Sequence, residues 1–288
     1  MKRLPASRPL AWINGQTRLV TIFGWPLAYT LSPRFHNEAL RLGGLDARYL
    51  ALPTPDEKSF LALARGLMGS PQFVGANITN PYKLAAMRLV PRLGPAARAI
   101  GAVNTLRRDA RGWVGENTDA EGFRAALAAE GFQLKGKRVL LLGAGGAARA
   151  LAWACGQAGA KRVLVLARRP SQAVATAALA GKAGLHGRLA GEAVAAASLA
   201  DDLVVNTLPG QDLGAEYGEA LMLSPVPGAH AMDISYTPLD TAFLKAARRA
   251  GWGTVDGLGM LLEQGRASFG HWFGRKPDVS LLRAALAG

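Results

Sequence analysis

Lys137-Arg-Val-Leu-Leu-Leu-Gly143-Ala-Gly-Gly-Ala-Ala-Arg149 joins an apolar run to a glycine-rich turn. The apolar run is typical of a buried strand, and residues 146–159 favour a helix. With Ala148 in the third place, the turn fits the G-x-G-x-x-G/A fingerprint, which binds the pyrophosphate of a dinucleotide. A turn that serves packing alone is the alternative interpretation. The fingerprint is favoured because a further apolar strand, predicted over 162–166, follows the helix.

The fingerprint assigns a role to each small residue of the turn. Gly143 permits the tight turn, and Gly145 lets the backbone approach a pyrophosphate. The N-terminus of the next helix adds free N–H groups and the positive end of its dipole. The predicted cofactor-binding residues here are Gly143, Ala144, Gly145, Gly146 and Ala147.

The residues after the second strand indicate which cofactor binds. An NAD site has Asp or Glu about 20 residues after the first glycine, where it accepts from the ribose 2′-OH. Here Leu166 is followed by Ala167-Arg168-Arg169, with no carboxylate. Two guanidinium groups suit a 2′-phosphate, so Arg168 and Arg169 predict NADP. Arginines with no functional role at a strand end are the alternative.

Strands and helices alternate on both sides of this unit, which predicts two α/β domains with parallel sheets. The C-terminal one is predicted as a Rossmann-type, doubly wound NADP domain over 122–256. The substrate-binding domain is predicted over 1–121 and completed by helices within 257–288, with a cleft between the two domains. Further strands are predicted over 18–24, 47–52, 73–77, 202–206 and 230–234; further helices are predicted over 32–42, 57–68, 119–130, 241–251, 257–273 and 280–286, with another beginning at Ser171.

Composition limits the other function classes. The chain has 288 residues and a formal net charge of +14, but no run of five like charges, so a nucleic-acid partner is not expected. A single cysteine, Cys155, permits no internal disulfide and fits a reducing cytoplasm. Residues 1–17 do not resemble a signal peptide, and Arg149 with several glycines interrupts the apolar stretch 139–160, so no membrane span is predicted.

Three polar clusters in the N-terminal half suggest a pocket for a polyhydroxylated ligand. They are Asn77-Ile-Thr-Asn-Pro-Tyr-Lys83, Gly101-Ala-Val-Asn-Thr105 and Glu116-Asn-Thr-Asp119. The first follows a predicted strand, and ligands of α/β proteins bind at the carboxyl ends of strands. Each cluster alone also fits a turn or a helix cap, and Asp119 is a candidate N-cap residue.

With these motifs, the sequence resembles the shikimate dehydrogenase family from about Thr21 to its end. Besides the clusters above and the glycine-rich turn, the similar motifs are Gly24-Trp-Pro-Leu-Ala-Tyr-Thr-Leu-Ser-Pro33, Asp233-Ile-Ser-Tyr236 and Asp256-Gly-Leu-Gly-Met260 with Gln264. The resemblance implies reversible reduction of 3-dehydroshikimate to shikimate with NADPH, by a monomer or homodimer. It implies no metal.

The resemblance also implies roles for individual residues. Lys83 and Asp119 are the expected catalytic pair, because a lysine can protonate the developing alkoxide while a carboxylate orients it. The expected substrate-binding residues are Thr30, Ser32, Asn77, Thr79, Asn104, Tyr236 and Gln264. Gly257 joins the expected cofactor site.

Departures from the family pattern leave the substrate open. Thr30 replaces a serine, and the family's Asn-Arg-Thr motif is Ala167-Arg168-Arg169 here. A dehydrogenase for quinate or aminoshikimate is the alternative within the superfamily. An NADP-binding sensor without catalysis is the alternative from another class, and the presence of both Lys83 and Asp119 disfavours it.

Overall fold

The computed structural model describes residues 13–189, 201–210 and 225–287, in which the strands form two six-stranded sheets. The first sheet contains β1 (Arg18–Gly24), β2 (Ala47–Pro53), β3 (Phe73–Ile78), β4 (Arg92–Leu93), β5 (Thr105–Asp109) and β6 (Gly112–Glu116). The second contains β7 (Arg138–Leu142), β8 (Arg162–Ala167), β9 (Gly184–Arg188), β10 (Leu203–Asn206), β11 (His230–Asp233) and β12 (Gly253–Val255).

Helices connect the strands in both halves. The α-helices of the described residues are α1 (Ser32–Leu42), α2 (Glu57–Met68), α3 (Pro95–Ile100), α4 (Asp119–Ala129), α5 (Gly146–Gln157), α6 (Pro170–Ala177), α7 (Ala242–Arg249), α8 (Gly257–Phe273) and α9 (Val279–Ala287). Short 3-10 helices span Ala85–Leu89 and Ala178–Ala183. The helices predicted over 57–68 and 257–273 have these bounds in the structure, which confirms both predictions.

The second sheet is parallel throughout, in the order β12-β11-β10-β7-β8-β9. Numbered along the chain from β7, this is the strand order 3-2-1-4-5-6 of the dinucleotide-binding fold, read from the opposite edge. Strand β7 is fully buried over residues 139–142, as its apolar sequence predicts. The predicted Rossmann-type architecture is therefore confirmed.

The first sheet, in the order β2-β1-β3-β5-β6-β4, is mixed. The predicted strands β1, β2 and β3 pair in parallel, as expected. Strand β5, which the sequence did not predict, runs antiparallel to both β3 and β6. The β5–β6 hairpin turns at Gly112, whose φ of +104° is accessible to glycine and strained for other residues. The sequence of β5 contains no apolar run, because the strand is partly solvated and carries the charged residues Arg107, Arg108 and Asp109.

Helix α8 returns the chain to the first half. Leu258, Leu262 and Phe269 from this helix share a core with Val20 and Ile22 of β1. Elsewhere Cys155 is buried in the core of the second half, and burial raises the pKa of its thiol to about 12. Within the described residues, no helix is long and apolar enough to span a bilayer. Residues 1–12, which belong to the segment tested for a signal peptide, lie outside the described residues.

Helices α4 and α8 touch at glycine. A Cβ at Gly122 would lie 2.8 Å from both the backbone nitrogen and the Cβ of Gln264, closer than real Cβ contacts. The two helix backbones are therefore in contact at Gly122 and Gln264. The close spacing of α4 and α8 therefore requires glycine, which has no side chain, at position 122.

Gly122→Ala is expected to lower the free energy of unfolding by about 1–3 kcal/mol, because the methyl group must push α4 away from α8. Urea unfolding followed by circular dichroism measures the change. Gly66→Ala in α2 is the matched control, because a Cβ there meets nothing within 4 Å. The control is expected to raise stability by about 0.5–1 kcal/mol through helix propensity. Equal stability changes in the two variants would contradict the packing argument.

Candidate active site

A cavity of about 570 Å³ opens between the two sheets and receives loops that follow β3, β7, β8, β10 and β11. Every predicted site residue except Thr30 lines it. On the side of the first sheet and its returning helix, these residues are Ser32, Asn77, Thr79, Lys83, Asn104, Asp119 and Gln264. On the side of the second sheet they are Gly143, Ala144, Gly145, Gly146, Ala147, Arg168, Arg169, Tyr236 and Gly257.

Lys83 and Asp119 form an ion pair at the junction of the two sides. The Lys83 Nζ lies 2.6 Å from Asp119 Oδ2, and the side chains are 14% and 5% exposed. Lys83 follows β3, and its carbonyl accepts the Val103 N–H at 2.8 Å. A Cβ at Gly146 would lie 3.2 Å from Lys83 Cβ and Cδ, so the lysine stem packs against the glycine-rich turn. This arrangement places the amine of one sheet beside the glycine-rich turn of the other.

The Asp119 carboxylate does not cap its helix. Thr118 is the N-cap residue of α4, and the Asp119 backbone N–H donates to Asn117 Oδ1 at 3.1 Å. The interpretation of Asp119 as the N-cap residue was therefore wrong. The Asn117 side chain, not that of Asp119, accepts a hydrogen bond from a free backbone N–H at the start of the helix. Asp119 Oδ1 accepts from Asn104 Nδ2 at 2.9 Å, and Oδ2 faces Lys83.

Two buried amides flank the ion pair. Asn104 Oδ1 accepts the Thr118 N–H at 2.8 Å, which fixes the amide that binds Asp119. Asn77 Oδ1 accepts from the Tyr49 hydroxyl at 2.7 Å, and Asn77 Nδ2 donates to Ser268 Oγ at 3.0 Å.

The sequence interpretation missed Tyr49 and Ser268. Ser268 follows Gln264 by one helical turn, and this i, i+4 spacing was the available signal. Tyr49 had no such signal, because an aromatic residue in a strand is ordinary core composition.

A cluster of hydroxyl groups lies at one side of the cavity. The Ser32 N–H donates to Thr30 Oγ1 at 3.4 Å at the start of α1. Burial raises the pKa of the Tyr236 phenol. Ser32 and Tyr236 line the cavity, and Thr30 does not.

The glycine-rich turn has the backbone that its sequence predicts. Gly143 has a φ of +108°, and a Cβ there would lie 2.6 Å from Thr207 Oγ1. Gly145 is the N-cap of α5, and a Cβ there meets nothing within 4 Å, so the backbone faces open space. This open approach to a helix N-terminus fits a pyrophosphate. A Cβ at Gly257 would lie 2.3 Å from the Ile234 carbonyl oxygen, so close packing also requires glycine at the start of α8.

Arg168 and Arg169 are exposed at the far end of the same cavity. In the described part of the chain, neither guanidinium is paired with a carboxylate, so both are available to an anionic ligand. Gln172 in the first turn of α6 lines the cavity beside them and was missed, although its position soon after the two arginines was a signal. Among residues 13–189, 201–210 and 225–287, no group of three or more His, Cys, Asp or Glu side chains could hold a metal ion.

Comparisons with known proteins agree with these features. Residues 22–106 match the family of shikimate dehydrogenase substrate binding domains, and residues 257–287 match the shikimate 5'-dehydrogenase C-terminal domain. The chain is 42% identical to the shikimate dehydrogenase (NADP(+)) of Acidiphilium cryptum, over 96% of this chain and 98% of that protein. It is 38% identical to the enzyme of that name from Moorella thermoacetica, over 95% of this chain and 94% of that protein.

A solved structure extends the likeness to three dimensions. The shikimate 5-dehydrogenase from Thermus thermophilus, in complex with NADP(H) and shikimate, matches with a TM-score of 0.78 and 35% identity, over 94% of this chain and 98% of that one. Identity above 40% along almost the whole length leaves no large region of the chain outside the match. The chain belongs to the shikimate dehydrogenase family.

Proposed function

We propose that this protein catalyses the reversible reduction of 3-dehydroshikimate to shikimate with NADPH. The observation that supports this best is the Lys83–Asp119 pair, which borders the same cavity as the glycine-rich turn and Arg168. A proton donor and a dinucleotide site therefore face one space, as reduction of a carbonyl requires. Curated relatives that match nearly the whole chain are named for this activity.

Lys83 acts as the proton donor and acceptor in this proposal. The bound nicotinamide supplies hydride to the C3 carbonyl. The Lys83 ammonium then stabilises negative charge at the C3 oxygen and gives it a proton, and the amine takes the proton back in the reverse direction. Asp119 holds the ammonium at 2.6 Å and orients it toward the cavity. Because the pair is largely buried, its charges are less screened by water than a surface pair would be.

The remaining polar residues bind the two ends of the substrate. We assign the ring hydroxyls to Asn77, Asn104, Asp119 and Gln264, which line the same cavity as Lys83, and we assign Thr79 to contact with the ring. The carboxylate is assigned to Ser32 and Tyr236. Thr30 accepts a hydrogen bond from the Ser32 N–H and is proposed to complete this carboxylate site.

The cofactor is assigned to the part of the cavity that extends from the glycine-rich turn to the two arginines. The backbone of Gly143, Ala144, Gly145, Gly146 and Ala147 holds the pyrophosphate in this proposal, and Gly257 borders the nicotinamide end. Arg168 and Arg169 receive the 2′-phosphate at the opposite end. We also propose the division into a substrate domain (1–121 and 257–288) and an NADP domain (122–256), which the core shared by α8 and β1 supports.

Quinate and aminoshikimate dehydrogenases remain the alternatives, and a substrate panel distinguishes them. The purified protein is assayed with shikimate, quinate and aminoshikimate, each with NADP and with NAD, by absorbance at the wavelength of the reduced nicotinamide. The highest kcat/KM is expected for shikimate with NADP. A higher value for another substrate would replace the substrate assignment, and no oxidation of any of them would remove the enzymatic proposal.

Lys83→Met is expected to lower kcat by about 10²- to 10⁴-fold, because it removes a positioned proton-transfer group. Methionine keeps the unbranched stem that packs against Gly146, so NADPH affinity, measured by fluorescence titration, is expected to persist. Lys245→Met is the matched control, since Lys245 forms only an exposed contact with Asp240 at 4.0 Å. Near-normal turnover by Lys83→Met would exclude the amine from the mechanism.

Arg168→Ala is expected to weaken NADPH binding by about 1.5–3 kcal/mol, the contribution of a hydrogen bond to a charged group. Binding of NADH, which has no 2′-phosphate, is expected to stay nearly constant. Calorimetric titration of both cofactors measures the two effects, and Arg65→Ala on the exposed surface of α2 is the control. Equal losses for NADPH and NADH would show that Arg168 does not recognise the 2′-phosphate.

A further inference from the structure

Tyr49 lies directly behind the substrate side of the cavity without lining it. Its side chain belongs to β2 and is 1% exposed. Its hydroxyl donates to Asn77 Oδ1 at 2.7 Å. Asn77 lines the cavity, so this buried hydroxyl holds a residue that is assigned to the substrate ring.

The surroundings of Asn77 give its amide a single orientation. Nδ2 donates to Ser268 Oγ at 3.0 Å and approaches the Asn104 carbonyl oxygen at 3.3 Å, so partners inside the protein use both hydrogens. Oδ1 accepts from Tyr49 and retains a second lone pair. The Asn77 amide can therefore accept one further hydrogen bond from a ligand in the cavity, and it has no hydrogen left to donate.

The packing of Tyr49 keeps its hydroxyl in place. The ring stacks on His36, with centroids 4.3 Å apart and planes at 15°. Burial raises the pKa of the Tyr49 phenol well above its usual range, so the group stays protonated and donates. Burial also lowers the pKa of His36 to about 3, so the stacked imidazole is neutral and places no charge beside the phenol.

From this geometry we infer that Tyr49 is a positioning residue that presents Asn77 to the substrate as a hydrogen-bond acceptor. Tyr49 itself touches neither substrate nor cofactor. The matching ligand feature is a ring hydroxyl that donates to Asn77 Oδ1. This inference rests on the proposed function, because it deepens the assignment of Asn77 to a ring hydroxyl of shikimate.

Tyr49→Phe removes the hydroxyl and keeps the ring. A hydroxyl contact that is equal in the ground state and the transition state changes KM more than kcat. We therefore expect KM for shikimate to rise about five- to tenfold, which is the scale of one neutral hydrogen bond, with kcat within about twofold of wild type. KM for NADP is expected to stay unchanged. A defect in folding alone would lower the active fraction, and with it the apparent kcat and the melting temperature, and would leave both KM values unchanged.

Trp113→Phe is the matched control. Trp113 is partly buried, and its indole N–H donates to the Met68 carbonyl oxygen at 3.2 Å, away from the cavity lining. Both variants remove one hydrogen-bond donor and keep an aromatic ring. KM for shikimate is expected to stay at the wild-type value in the control, and an equal rise in the two variants would overturn the inference.

A double-mutant cycle with Asn77→Ala separates positioning from general damage. If Tyr49 acts through Asn77, adding Tyr49→Phe to Asn77→Ala raises KM for shikimate no further. Independent, multiplicative losses would overturn the inference. Should Tyr49→Phe fold poorly, Ser268→Ala tests the other end of the same amide and is expected to raise KM for shikimate with the same dependence on Asn77.

Assays of the wild-type protein distinguish a failure of the inference about Tyr49 from a failure of the proposed function. If it oxidises shikimate while Tyr49→Phe and Ser268→Ala leave KM unchanged, the inference is wrong and the proposed function stands. If the wild-type protein does not oxidise shikimate, the proposed function fails and the inference fails with it.

Discussion

The Lys83–Asp119 ion pair is the contact on which the site depends, and burying its two charges costs free energy. Removing two charges from water costs several kcal/mol per ion, and a buried pair is tolerated only when further hydrogen bonds complete it. Here Asn104 supplies one to Asp119 Oδ1, and the Asn104 amide is itself held by the Thr118 N–H. The polar residues around the pair therefore stabilise the charges before any substrate binds.

The location of the cavity follows from the topology of the second sheet. Strands β7 and β10 are neighbours in this sheet. The chain continues from β7 to β8 on one side of the pair and from β10 to β11 on the other, so the loops after β7 and β10 diverge. Ligands of open α/β sheets bind in the crevice that such a switch point creates. The glycine-rich turn after β7 and residues 207–209 after β10 both line the cavity. The first sheet faces this crevice, so polar groups from both halves of the chain meet there.

Sequence alone predicted the second sheet better than the first, for physical reasons. An apolar strand followed by glycines allows few structures, so β7, its turn and α5 were predicted nearly residue by residue. The charged strand β5 carries no comparable pattern, and its antiparallel direction depends on pairing with distant residues. The residues assigned to the site were largely brought together around one cavity, but the orientation of Asn77 was not predictable. It depends on Tyr49 and Ser268, which lie 28 and 191 residues away in sequence.

The two halves are connected close to the chemistry by Arg149. Its Nε and Nη2 donate to the Ile100 carbonyl oxygen at 2.9 and 2.6 Å, at the C-terminal end of α3. A cation is favourable there because the last carbonyls of a helix carry partial negative charge. Arg149 lies in the first turns of α5, directly after the glycine-rich turn, while Ile100 precedes the segment that contains Asn104. The contact therefore fixes the glycine-rich turn relative to the amide that binds Asp119. Since hydride and proton must reach adjacent atoms of one substrate, a displacement of about 1 Å between these groups would slow the reaction severely.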